Sequence, residues 1–131
     1  MLEFVFDAIK GRAHIRYRGF WTEDEARAAV EEFYANMRRI TTDHTAFTLL
    51  DDMSEWGPQK QEVVEINTMF GQICSTLPIV RNAVVISSAL TRRQVLRSLE
   101  GFECQIFENF KEADAWLAEV EPVSGRPHMA L

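Results

Sequence analysis

Three short apolar runs, Ala46 to Leu50, Asn82 to Ser87 and Glu103 to Phe107, each give way to a segment of helical periodicity. That alternation narrows the fold more than any other feature, because parallel neighbouring strands need a helical crossover and the crossover is right-handed. Thr22-Glu-Asp-Glu25 is a capping box: the threonine hydroxyl accepts from the Glu25 N–H while the glutamate reaches back to Thr22. The stripe behind it is Ala26, Ala29, Val30, Phe33, Met37 and Ile40, with Arg38 and Arg39 expected near the negative end of the dipole. Pro58 fits the first turn of a second helix that carries Val63, Ile66, Phe70, Ile73, Cys74 and Leu77 inward and ends before Pro78. Thr91-Arg-Arg-Gln94 is a second box-like cap, for a helix over Leu90 to Glu100 stopped by Gly101. Asn109 caps a last helix with Ala113, Trp116, Leu117 and Val120 on one face.

Ahead of these units, Leu2 to Ile9 is apolar-rich. After a Lys10-Gly11-Arg12 turn, Ala13 to Phe20 alternates His14, Arg16 and Arg18 against Ile15 and Tyr17. This predicts a β-hairpin. The expected fold is α/β: a hairpin followed by three βα units, giving a mixed five-stranded sheet covered by four helices. A chain of 131 residues makes one domain, placed over 1–121 with a flexible tail over 122–131. Phe33, Leu49, Phe70, Val85 and Trp116 are expected to share one core.

A net charge of -6 argues against a general coat for nucleic acid or an anionic membrane, which needs a dense basic face. Cys74 and Cys104 stand far apart in apolar settings with no C-x-x-C spacing, which reads as core thiols in a reducing cytoplasm. No window approaches ~18 uninterrupted apolar residues and the first residues lack a basic leader, so neither spanning nor secretion is indicated.

The strand ending in Leu49-Leu-Asp-Asp52, the strand Ala83-Val-Val-Ile-Ser-Ser88 and above all the closing Gln105-Ile-Phe-Glu-Asn-Phe-Lys-Glu-Ala-Asp-Ala-Trp-Leu117 resemble the SpoIIAA-like proteins of the STAS superfamily. The resemblance runs from Leu2 to Val120 and lies mostly at structural positions. It implies a small bacterial domain, of a kind that in some members is an anti-sigma-factor antagonist switched by serine phosphorylation. Phosphorylated members carry the serine at the start of the helix after the third strand, in an Asp-Ser-Ser/Thr-Gly setting. Here the stretch is Asp52-Met53-Ser54-Glu55, without the second hydroxyl or the glycine, and Ser54 is the position the resemblance marks for phosphorylation.

Asp51 and Asp52 stand where apolar sequence turns polar. If the strand continues through them they point to opposite faces, so one ion cannot take both, and Glu55 is the only other obvious ligand nearby. No metal site is assigned. Their expected role is to satisfy loop N–H groups at the head of the next helix. Ser87 and Ser88 end the next strand, and Thr91, Arg92 and Arg93 open its helix. Two arginines oppose the dipole there, so they are expected to face Asp51, Asp52 and Glu55 across a shallow groove at the carboxyl edge of the sheet. Trp21 and Trp56, at strand-to-helix junctions, read as lids over the core ends. No glycine-rich cradle and no G-x-S-x-G elbow occurs, and His14, His44 and His128 are scattered, so neither a cofactor nor a catalytic residue is assigned.

The expectation is therefore a cytoplasmic, non-enzymatic module that binds a regulatory protein partner through Asp51, Asp52, Ser54, Trp56, Ser87, Ser88, Thr91, Arg92 and Arg93. The alternative is a carrier for a small lipid-like or anionic ligand, with an apolar pocket under the helices. Val64 and Met69 widen the apolar flank of the second helix, where a flat patch would instead serve a protein interface or a homodimer. A third reading, an enzyme with Asp51 or Asp52 as general base, requires a strongly raised carboxylate pKa in a closed cleft.

Overall fold

The structure is a computed structural model and describes residues 2–98 and 103–121. Its strands are β1 (Leu2–Asp7), β2 (Arg12–Gly19), β3 (Phe47–Trp56), β4 (Ile79–Val85) and β5 (Gln105–Phe107). Its helices are α1 (Glu23–Asp43), α2 (Gln61–Cys74), α3 (Ala89–Ser98) and α4 (Phe110–Ala118). The five strands form one sheet in the order β1-β2-β3-β4-β5. β1 and β2 are antiparallel, and the other three pairs are parallel. The hairpin turns at Gly11, whose φ of 67° suits a residue without Cβ, while Asp7 Oδ1 accepts the N–H groups of Ile9 and Lys10.

Strands added always on the same side, through crossovers of one hand, place the crossover helices on a single face. Val63, Phe70 and Val95 accordingly join the α1 stripe in one core. α4 follows the last strand and crosses the opposite face, where Ala113 and Leu117 meet Leu50, Ala83 and Val85. The expectation of a single shared core is thus corrected. Phe33, Leu49 and Phe70 lie on one side of the sheet, Val85 and Trp116 on the other, because consecutive strand residues point to opposite faces.

The α1 capping box forms as read, with Glu25 N–H donating to Thr22 Oγ1 at 3.1 Å and Thr22 N–H donating to Glu25 Oε1 at 2.8 Å. All six stripe residues are buried. The helix runs on to Asp43, so Arg38 and Arg39 sit before its last turn. α2 starts at Gln61 behind Lys60, not at Pro58, and ends at Cys74. Val64 is buried beside the α2 stripe and Met69 is exposed. The box expected at Thr91 does not form. Thr91 lies inside α3 with its N–H on Ser88 Oγ at 3.3 Å, and Gln94 turns instead to Gln59. The stop expected at Gly101 and the tail from Pro122 lie outside the described residues. At the last helix, Asn109 Oδ1 accepts from Glu112 N–H at 2.9 Å, as its position predicts.

The largest departure is β3. It does not end at the aspartates but continues to Trp56, pairing Arg16 with Asp52 and Gly19 with Trp56 on one side and Asp52 with Val85 on the other. Parallel neighbours supply ladder partners, β4 as far as Asp52 and β2 as far as Trp56, so polar residues stay in the strand.

Candidate functional site

The extension of β3 separates the two aspartates. Asp51 faces the helices α1 and α2 and is buried; Tyr17 Oη donates to its Oδ1 at 2.8 Å and Asn82 Nδ2 donates to its Oδ2 at 3.0 Å. Neither donor is charged. Burial therefore dominates and pushes the Asp51 carboxyl up to about 6, against the pull of the Asn82 and Tyr17 hydrogen bonds. That value meets half of what a general base requires, but both carboxylate oxygens are engaged by neutral donors inside the core. Asp51 is a core polar group, which removes it from the surface site.

Asp52 faces the other way. It accepts from Ser54 N–H at 3.1 Å and from Ser54 Oγ at 2.6 Å, and lies 3.7 Å from Arg16 Nε. Arg16 and Arg18 also pair with Glu3, at 3.7 and 3.5 Å, and Arg18 with Glu55 at 3.5 Å. Asp52 and Glu55 thus take their cations from β2 and not from Arg92 and Arg93. The expected acidic-to-basic groove is corrected accordingly: Arg92 and Arg93 are exposed and form no ion pair among the described residues. Ser54 is exposed within the strand, not at the head of a helix.

At the carboxyl edge, Gln59 ties two loops and α3 together. Its Oε1 accepts from Trp21 N–H at 2.9 Å, its Nε2 donates to the Gly19 and Gly57 carbonyls at 2.9 and 2.7 Å, and its backbone exchanges two hydrogen bonds with the Gln94 side chain. Thr91 Oγ1 reaches the Trp56 carbonyl at 3.4 Å, and Ser87 Oγ reaches the Ser54 carbonyl at 3.3 Å. Trp56 itself is buried against Tyr17 and Trp21, with ring centroids 5.3 and 5.2 Å away. Both Trp56 and Thr91 therefore support the edge from below and offer no surface.

Phe20, which the sequence reading passed over, stands on top. It is 76% exposed. Its ring lies over Gly57 so closely that a Cβ there would stand 3.0 Å from two ring carbons. The signal for it was an aromatic directly before Trp21 at the end of an alternating strand, one more apolar residue than the alternation needs.

At the opposite, amino edge of the sheet an open groove of about 590 Å³ is lined by Cys74, Leu77, Ile79, Asn82, Cys104 and Trp116, among others. Asn82 and Glu103 contribute polar groups to it, and it is not the enclosed apolar pocket a lipid-like carrier needs. Both thiols are free; burial pushes Cys104 up to about 11 and Cys74 still higher, which makes them poor nucleophiles.

No protein-family model and no curated protein matches this chain. Among solved structures it is similar to an anti-sigma factor antagonist from Mycobacterium paratuberculosis, with a TM-score of 0.61 over 89% of this chain and 94% of that one. The identity is 16%, so what is shared is the course of the backbone. The chain has the STAS/SpoIIAA-like fold that the closing Gln105 to Leu117 pattern implied. Among the described residues no helix is long and apolar enough to cross a membrane.

Proposed function

We propose that the protein is a cytoplasmic, non-enzymatic regulatory module whose protein partner docks on the carboxyl edge of the sheet. The contact surface comprises Phe20, Ser54, Ser87, Ser88 and the first turn of α3, with Asp52 and Glu55 at its margin. One observation carries this reading: an aromatic ring three-quarters exposed, held on a glycine beside loops that a single buried glutamine locks together. A rigid exposed aromatic is the kind of anchor that dominates protein interfaces. The similar fold of an anti-sigma factor antagonist supports a protein as the partner. Ser54 is the position where modification acts. A phosphate there replaces the hydroxyl donor to Asp52 and sets its charge beside Asp52 and Glu55, which disturbs the docking edge.

The test is capture of partners from the native host with wild type, Phe20→Ala, Ser54→Glu and Asp52→Asn at matched thermal stability. The expected result is loss of one protein from the Phe20→Ala and Ser54→Glu profiles and an altered amount of it with Asp52→Asn. Four identical profiles remove this edge as the binding site.

A further inference from the structure

α3 is basic without any acidic residue between Ala89 and Ser98, in a chain of net charge -6. Its inward side is narrow, with Thr91 and Val95 buried one turn apart. At 100° per residue, Leu90, Arg93, Leu96 and Arg97 then fall on the outward half of the helix, with Arg92 at its flank. Leu90 is 52% exposed and Leu96 is 51% exposed. None of Arg92, Arg93 and Arg97 forms an ion pair among the described residues, as is also true of Arg27, Arg38 and Arg39 on α1, whereas Arg12, Arg16, Arg18 and Arg81 each lie against a carboxylate. Arg92 also closes the first turn of α3 and Arg93 follows it, near the helix end where the dipole disfavours cations.

Leu90 and Leu96 stand about 120° apart around the helix with Arg93 and Arg97 between them, so the outward face is a basic strip edged by two leucines, complementary to an acidic segment edged by apolar residues. We infer that the outward face of α3 is the contact for an acidic amphipathic segment of the partner protein, with its carboxylates on Arg92, Arg93 and Arg97 and its apolar residues against Leu90 and Leu96 at the margins. This rests on the carboxyl-edge reading above and extends it along α3 by two helical turns. Phe20 anchors the partner, and α3 selects it by charge.

The test places the photocrosslinking residue benzoylphenylalanine at Leu96 or at Phe20 of the full chain in the native host, with the attached peptide read by mass spectrometry. The expected result is one protein attached at both positions, joined at Leu96 through a segment of net negative charge with apolar residues at helical spacing. In addition, Arg92→Glu combined with Arg93→Glu and Arg97→Glu weakens binding of that purified protein at least tenfold, and the remaining affinity rises with salt where that of the wild type falls. Attachment at Phe20 but not at Leu96 overturns this inference and leaves the edge reading standing, while no attachment at either position overturns both. A basic or uncharged segment at Leu96, or a second copy of this chain there, also overturns the inference.

Discussion

Under α1 and α2 the sheet meets Phe33, Met37, Phe70 and the packed rings of Tyr17, Trp21 and Trp56; under α4 it meets Ala113, Leu117 and an arginine. The first face is held by apolar area. On the second, Arg12 is buried, with Nε on Glu121 Oε2 and Nη1 on Asp114 Oδ1 at 2.7 Å each, and Thr48 Oγ1 also donates to Glu121. Burial alone would lower the Arg12 pKa, but Glu121 and Asp114 outweigh it and leave it raised. The nine-residue helix α4 buries only Ala113 and Leu117, and the ion cluster lies beside this small apolar contact. The two faces therefore fail in different ways. Loss of area costs the first face its core, and loss of one charge costs the second its helix.

Truncating one aromatic on each side should produce the largest difference between the two faces. Phe33→Ala should cost about 3 to 5 kcal/mol in urea unfolding. Trp116→Ala should cost about 1 to 3 kcal/mol, because its ring is only partly buried and lies against Phe107 and the Arg81 guanidinium. Equal losses would mean that the sheet does not separate two cores.

Next in size is Arg12→Ala, which leaves Glu121 buried without a cation and should cost about 3 kcal/mol. Arg12→Met combined with Glu121→Leu should recover most of that loss. A double variant as unstable as the single one would show that the cluster is needed for its shape and not only for charge balance.

How far the sequence disclosed these features depended on distance along the chain. The α1 capping box and its six-residue stripe were legible because every partner lies within a few residues. The Asn109 cap was legible for the same reason. The run of β3 past Leu50 was hidden because its support is the ladder to β2 and β4. Met53 and Trp56, two apolar residues beyond the aspartates and both buried, were the available signal. Tyr17–Asp51 and Arg12–Glu121 join residues 34 and 109 positions apart, and no local pattern announces such pairs. The site suffered most, since Asp51, Trp56 and Thr91 turn inward while Phe20, Leu90, Leu96 and Arg97 remain outside.

Asp51 makes the stability of the first face depend on pH. Its folded carboxyl holds a proton up to about pH 6, while the ordinary value is 3.8, so the folded state binds the extra proton between these limits. The stability linked to it is fully present below about pH 4, is lost as the pH rises through about 6, and is flat above. The size of the change is about 2 to 3 kcal/mol. Asp51→Asn should flatten this part of the profile in chemical denaturation at stepped pH. An unchanged slope would mean that water or charge reaches the first face.

The smallest effect on stability belongs to the uncovered part of the second face. There Arg16 and Arg18 lie 3.5 to 3.7 Å from Glu3, Asp52 and Glu55, all long for ion pairs and most of them exposed. Such pairs contribute about 0 to 1 kcal/mol. Asp52→Asn keeps an oxygen that can accept from Ser54, so its unfolding free energy should stay within about 0.5 kcal/mol of wild type. Its capture of partner should nevertheless change, because removing the carboxylate alters the charge beside Ser54 at the docking edge. A stability loss above 1 kcal/mol with unchanged capture would assign these charges to the fold, and would make both faces of the sheet structural.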